Sequence, residues 1–475
     1  MASSQEEGTA SPKKQLLLNA FVMTTLSHLS PGQWNQPGNK TADYNKLSFW
    51  TNLAQLLDNA GFHAMFIADV LGPYDVYKGP ANVDPVLASG AQFPVNDPLY
   101  SVPAMAAVTK NLIFGVTAST TYDAPYALAR RFSTVDHLAE GRVGWNIVTS
   151  YLESAARNFG LETQIEHDER YRIADEYMDV VYKLWEGSWR DDAAVRDYET
   201  GQFALAGRVR KINHEGKYFK VPGPHICEPS PQRTPFLFQA GTSKAGIEFG
   251  AKHAEAVFTG GMLPELVRRS VDGLRTTAKE KFGRDPSHLK VFTGICLIVD
   301  ETDEKAQAKF DNFVAHGDRE GALGLFGGWT GYDLSGYDDD QDFRFVEAPG
   351  IRSIVNRWST TVPGSDGLKW TKARIADYIL VGGLGAKIIG GPKTVADELE
   401  RWADEADLDG FNLSHILNPG SFEDIIKWVI PELQRRGRFR VNVDKEGATA
   451  REALLGQSHV LEDHPAYQYK WKIDS

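Results

Sequence analysis

The sequence predicts an α/β fold: a (β/α)8 TIM barrel carrying insertions. Three observations predict it. Eight short apolar runs rich in β-branched and aromatic residues recur along the chain, as parallel strands buried on both faces require. The stretches between them space their apolar residues as helices do. The chain has 475 residues and is 42% hydrophobic, enough for the large core of one such barrel. A doubly wound open sheet is the alternative arrangement of the same elements.

The elements follow in order. Residues 1–14 are polar and rich in Ser, Lys and Glu, so they read as a disordered tail rather than a signal peptide. Leu16–Met23 is the first strand. Tyr44–Ala60 reads as a helix opening after Asp43 and ending before Gly61. His63–Val70, Leu112–Ser119 and Arg142–Ser150 are the next three strands. The helix Arg170–Gly187 puts Tyr171, Ala174, Met178, Val181 and Trp185 on one stripe. A first insertion over residues 187–234, rich in charge, Gly and Pro, precedes the strands Pro235–Ala240, Ala254–Thr259 and Leu289–Val299. A second insertion, residues 317–391, holds Gly327, Gly328, Gly331, Tyr332, Tyr337 and the acidic run Asp338–Asp340. Its length predicts a lid or pocket wall before the last strand. The last strand, Gly410–Ile416, lies between helices Thr394–Ala406 and Phe422–Arg436. One barrel domain over residues 15–445 is expected, followed by a C-terminal extension over 446–475.

Composition removes several function classes. The net charge of −12, with both signs mixed, argues against nucleic acid or an anionic membrane as partner. No apolar run approaches the roughly 18 residues of a membrane span. The two cysteines, Cys227 and Cys296, make neither a disulfide framework nor a metal site, and Cys296 reads as a core residue. With no signal peptide and no targeting signal at Lys472–Ser475, a cytoplasmic protein is expected. There is no P-loop, no HExxH and no Cys-x-x-Cys. The glycines of Gly382–Gly391 miss the dinucleotide fingerprint because Ile388 stands where its last glycine belongs. Gly241–Gly246 misses the G-x-S-x-G nucleophile elbow because Ala245 replaces the second glycine.

In a barrel the chemistry sits at the carboxyl ends of the strands. Read in order, those ends carry Thr24, Thr25 and His28, then Asp69 and Tyr74, then Thr117, Thr120, Thr121 and Tyr122. Asn146, Thr149, Ser150 and Tyr151 follow, then Gly241-Thr242-Ser243, and finally His415 and Asn418. This ring is rich in hydroxyls and amides and poor in charge. It suits a ligand that takes many hydrogen bonds and one anionic anchor. Gly241-Thr242-Ser243 opens a helix, where free N–H groups favour a phosphate. Ser243 reads equally as a plain N-cap. Tyr171 reads equally as core, and His167 as a surface residue at a helix start.

At these residues the chain resembles the flavin-dependent monooxygenases of the bacterial-luciferase superfamily. The branch is that of nitrilotriacetate and dibenzothiophene-sulfone monooxygenases, and within it the chain most resembles long-chain alkane monooxygenase. The matching stretches are Asn19–Met23, Phe66–Val70, Pro94–Pro98, Thr117–Tyr126, Arg142–Ser150, Asn158–Gly160, Glu166–Tyr171 (EHDERY), Lys183–Trp189, Pro222–Pro235, Gln239–Ser243 and Asp409–Leu413. They span nearly the whole chain.

The resemblance implies a barrel that binds FMN as FMNH2, supplied by a separate NAD(P)H-dependent flavin reductase. It implies O2 as co-substrate and oxygenation of a small organic substrate through a C4a-(hydro)peroxyflavin. Asp69, Thr117, His167, Tyr171 and Ser243 match the family's flavin contacts, and Asn146 and Ser150 extend that set. His28 is the expected acid/base or peroxide-positioning group, and Tyr74 the hydrogen-bond donor to substrate or peroxide. Phe326, Trp329 and Tyr332 of the second insertion are expected to line the substrate side. Relatives imply a homodimer or homotetramer. Alkane-oxidising relatives carry Cys where this chain has Thr25 and His where it has Tyr151, so alkane oxidation is not implied. With few cations near the strand ends beyond Lys40 and Lys78, a neutral or apolar substrate is expected. The competing readings are a deazaflavin-dependent reductase of the same superfamily and a non-catalytic flavin-binding protein.

Overall fold

The computed structural model describes residues 14–472, apart from 242, 363 and 366. The expected tail lies outside the described residues except for Lys14, and so do Thr242 and residues 473–475.

The strands are β1 (Leu17–Met23), β2 (Ala64–Ala68), β3 (Ile113–Ser119), β4 (Val143–Val148), β5 (His214–Glu215), β6 (Lys220–Val221), β7 (Phe236–Gln239), β8 (Ala256–Thr259), β9 (Lys290–Val299), β10 (Ala386–Gly390) and β11 (Gly410–Ser414). Eight of them run parallel in the order β1-β2-β3-β4-β7-β8-β9-β11, and β11 returns to β1 through Leu17↔Gly410. The sheet therefore closes into the expected barrel, built from the eight apolar runs of the sequence.

One parallel strand was not expected. β9 has ten residues where β8 has four, so its second half has no barrel neighbour on the β8 side. β10 fills that edge, pairing Ala386–Gly390 with Ile295–Val299. Its glycine-rich surroundings hide it in the sequence; the overhanging edge of β9 makes it a strand.

Phenylalanines fill the barrel. Phe66, Phe236, Phe238, Phe258 and Phe292 form one cluster, with Phe66 and Phe258 centroids 4.2 Å apart. Glycines make the room: a Cβ on Gly115 would meet the Phe66 ring at 2.9 Å. The floor comes from the C-terminal segment, whose helix Ala450–Leu455 inserts Ala450 and Leu454 into this cluster. Between them Arg451 is wholly buried and donates from Nε to Glu255 Oε1 at 2.6 Å and from Nη2 to the Thr234 carbonyl at 2.9 Å.

Outside, helices pack their aliphatic stripes on the strands. Ala174, Met178 and Val181 of His167–Tyr182 are buried as their spacing predicts. The first long helix is Leu47–Asn59, shorter than expected, because Thr41–Asp43 turn as a 3-10 segment and Lys46 takes the N-cap position.

The first insertion carries the β5–β6 hairpin. The second folds helices Arg319–Thr330, Pro349–Thr361 and Lys372–Ile379 around a core of its own that includes Phe326, Val355, Trp358 and Trp370. This corrects two expectations. Phe326 is fully buried against Trp358, and Tyr332 packs onto the same core. Only Trp329 of the three aromatics reaches a cavity at the barrel mouth.

Candidate active site

The carboxyl ends of β1 to β4 carry the polar groups. Asn146 Nδ2 donates to Thr117 Oγ1 at 2.8 Å across β3 and β4, leaving the buried Asn146 Oδ1 without a partner. The hydroxyls of Ser119 and Ser150 lie 2.8 Å apart. Ser150 has a φ of +48°, a left-handed conformation uncommon for a residue with a side chain. Such strain gathers at functional sites. Asp69, just past β2, has its carboxyl pushed up to about 8 by burial and then by the charge of Asp97, so it is neutral at pH 7.

A cavity of about 250 Å3 opens over the β2, β4 and β7 ends, walled by Asp69, Ser150, His167, Arg170, Tyr171 and Gln239 among others. His167 opens the helix His167–Tyr182, and its ring lies 5.2 Å from that of Tyr171. Tyr171 packs in turn on Phe249. A Cβ on Gly241 or Gly246 would meet the Tyr171 hydroxyl oxygen at 3.0 or 2.9 Å. The phenol therefore lies directly against the start of the helix Lys244–His253. Ser243 is the N-cap of that helix and accepts the Gly246 N–H at 3.1 Å. The buried Gln239 Oε1 has no partner.

Sequence reasoning missed Arg170. It stands one turn before Ala174 on the buried face of the helix, where a charged residue is not expected, and it is 9% exposed and lines this cavity. Its Nη1 donates to the Ile165 carbonyl at 2.5 Å, while its buried Nε has no partner. The available signal was its place inside EHDERY, one residue before Tyr171.

The other half of the mouth holds a second cavity of about 320 Å3 over β1, β8, β9 and β11. Phe21, Leu29, Ile295, Trp329 and Leu384 line it, and none of the described lining residues is charged.

Tyr74 bridges the halves. Its hydroxyl donates to Gln92 Oε1 at 3.0 Å, and Gln92 Nε2 donates to the His28 carbonyl at 2.7 Å. With its one hydrogen so used, Tyr74 accepts from Trp329 Nε1 at 3.1 Å and from the Tyr151 hydroxyl at 3.1 Å. Trp329 lines the apolar cavity and Tyr151 the polar one. Gln92 is a second residue missed from sequence, since nothing in its run Ala91–Phe93 marks it as polar lining. Thr25 spends its hydroxyl on the Pro94 carbonyl at 2.8 Å.

His28 is 3% exposed and sits behind the wall that Phe21 and Leu29 make. Its ring meets Phe21 edge-on at 4.6 Å and hydrogen-bonds the Phe21 carbonyl, and its Nδ1 has no partner. The His415 ring is 5.9 Å away, with both nitrogens unpartnered. Burial lowers both imidazoles, His415 to about 4, so both are neutral at pH 7. Among the described residues, no group of three His, Cys, Asp or Glu side chains can hold a metal, and no helix is long and apolar enough to cross a membrane.

A closed barrel with a polar cavity over one part of its strand ends and an apolar cavity over the other has the layout of a barrel enzyme. Known proteins make the class specific. The model of the luciferase-like monooxygenase family matches residues 22–407, and the chain belongs to that family. It is an enzyme of the flavin monooxygenase type.

The dimethyl-sulfide monooxygenase of Hyphomicrobium sulfonivorans is 47% identical over 459 residues, 96% of this chain and 94% of that protein. The long-chain alkane monooxygenase of Geobacillus thermodenitrificans is 48% identical over 459 residues, 96% and 98% of the two chains. A crystal structure of riboflavin lyase with modified FMN and substrate riboflavin superposes with a TM-score of 0.86 at 34% identity, covering 97% of this chain and all of that one.

Proposed function

We propose that this chain is the oxygenase of a two-component system. It takes FMNH2 from a separate NAD(P)H-dependent flavin reductase and uses O2 to oxygenate a small neutral or apolar substrate. The observation that carries the reading is the divided mouth: a polar cavity ending at a helix start, a charge-free cavity opposite, and Tyr74 hydrogen-bonded to a residue of each.

The residues present fit FMN. The unpartnered amide oxygens of Asn146 and Gln239 are buried acceptors for ring or ribityl donors, and the neutral Asp69 carboxyl is a donor. The helix start at Ser243, with Tyr171, His167 and Arg170 around it, suits the phosphate. Bound FMNH2 would supply the electrons that activate O2. The chain's part is to hold the flavin by these groups, to keep water out with the apolar wall of Phe21, Leu29 and Trp329, and, through the buried Tyr74 hydroxyl, to fix Trp329 and Tyr151 in the walls of the two cavities. His28, neutral and behind Phe21, is assigned to positioning that wall and, through its carbonyl, Gln92. The two named relatives oxidise a sulfide and alkanes, both uncharged, which agrees with the charge-free cavity.

A coupled assay tests this. Protein, an FMN reductase, NADH and O2 are mixed with a panel of sulfides, alkanes, sulfones, ketones and aminopolycarboxylates, and products are scored by mass spectrometry. The expected result is an oxygenated sulfide or hydrocarbon that requires both FMNH2 and this protein. Oxygenation of the aminopolycarboxylates alone would overturn the neutral-substrate reading, and no product from the whole panel would overturn the oxygenase.

A further inference from the structure

The apolar cavity has five glycines in its wall; a Cβ on Gly385 would make ordinary contact with the Gly294 carbonyl at 3.6 Å, and the other four fall into two kinds. Gly261 and Gly382 are required by the fold. A Cβ on Gly261 would meet Val267 at 2.6 Å, and Gly382 has a φ of +76° with Cys296 Sγ 2.7 Å from its would-be Cβ. Gly294 and Gly260 are not. Neither has a positive φ, and a Cβ on either meets nothing within 4 Å.

Gly294 lies in the middle of β9, paired with Asn412, where glycine weakens a strand. Its direction is set by alternation. Phe292, two residues before it, fills the barrel, and Cys296, two residues after it, lines the cavity, so position 294 faces the same space. Neither backbone conformation nor packing accounts for this glycine. The empty volume in front of it does.

We propose that Gly294, with Gly260 beside it at the end of β8, is the size gauge of this cavity, keeping it long enough for the apolar body of an uncharged substrate. The proposal rests on the oxygenase reading and deepens it by naming the residues that decide substrate length. Leu29, Trp329 and Leu384 line the same cavity as Gly294, so a side chain at 294 takes up space that they enclose.

The test measures binding and turnover separately. FMN-loaded wild type, Gly294→Ala and Gly294→Val are titrated calorimetrically with n-alkyl methyl sulfides from dimethyl sulfide to hexyl methyl sulfide. The same compounds are run in the coupled assay. Valine suits a strand and a Cβ at 294 meets no neighbour, so the variants keep the fold, and an unchanged melting temperature and FMN affinity verify it. The longest sulfide bound is expected to shorten with each enlargement. Gly294→Val should lose at least about tenfold in affinity for hexyl methyl sulfide and at most about twofold for dimethyl sulfide. Gly260→Val should act in the same direction.

A wild type that binds no member of the series overturns the gauge, and so do variants that bind the series as wild type does. Oxygenated products with an unchanged length profile overturn the gauge and leave the oxygenase standing. Length-dependent binding without any oxygenated product supports the gauge and overturns the oxygenase.

Discussion

The indole N–H of Trp329 donates to the Tyr74 hydroxyl at 3.1 Å, joining two residues 255 positions apart in the chain. The bond ties the helix Arg319–Thr330 of the second insertion to the loop after β2, at the boundary of the two cavities. Trp329→Phe keeps an aromatic wall and removes the donor, at a net cost of about 0.5–1.5 kcal/mol. FMN affinity should stay unchanged while hydrogen peroxide released per NADH rises several-fold, because the cavity wall seals less well. A peroxide assay under coupled turnover reads it. Wild-type coupling in the variant would separate this bond from water exclusion.

Asp69 gives a pH dependence with a definite sign. Its folded value of about 8 lies above the ordinary carboxyl value of 3.8, so the folded chain holds a proton there that the unfolded chain releases. Its contribution to stability is full below the unfolded value and falls as pH rises toward 8. The same proton makes the carboxyl a donor to flavin. FMN binding by wild type is therefore expected to weaken above pH about 8. Asp69→Asn should bind FMN with a flat profile over that range. Anaerobic titrations at pH 6, 7, 8 and 9 check this, and parallel profiles for the two proteins would remove Asp69 from the flavin site.

Ser243 has a structural duty as well as the proposed one. Its N-cap bond to Gly246 predicts that Ser243→Ala costs about 1 kcal/mol of stability, and Ser243→Gly only a few tenths. If the hydroxyl also meets the FMN phosphate, both variants lose flavin affinity alike. Ser243→Ala with Tyr171→Phe should weaken FMN by about 1–3 kcal/mol. Fluorescence titration and thermal melts separate the two duties, and unchanged affinity in the double variant would sink the anchor.

Arg451 and Glu255 form a wholly buried pair at the barrel floor. Arg451→Ala leaves Glu255 as an uncompensated buried charge and should cost about 3–5 kcal/mol, whereas replacing both partners with Met and Leu should cost much less. Urea unfolding of the single and double variants measures it. Equal losses would mean that packing, rather than charge, makes the floor.

The sequence by itself determined the barrel. Eight apolar runs buried on both faces leave few other solutions, and their order along the chain is their order around the sheet except where β10 intervenes. Its strand ends and matching motifs also pointed to Asp69, Ser150, His167 and Tyr171, which the fold brings to one cavity. Only the tertiary structure decided which side chains meet. β10 is a strand because β9 overhangs β8, a fact of relative lengths across the closed sheet. Phe326 turned inward because the second insertion packs a core of its own, which periodicity cannot distinguish from a cavity wall. Arg170, Gln92 and the Tyr74–Trp329 bond emerged from contacts between distant segments. The floor came from Ala450 and Leu454, in a segment whose sequence read as an appendage. The physical reason is the same in each case. Spacing along the chain records whether a residue is buried, while barrel closure and long-range packing decide against what.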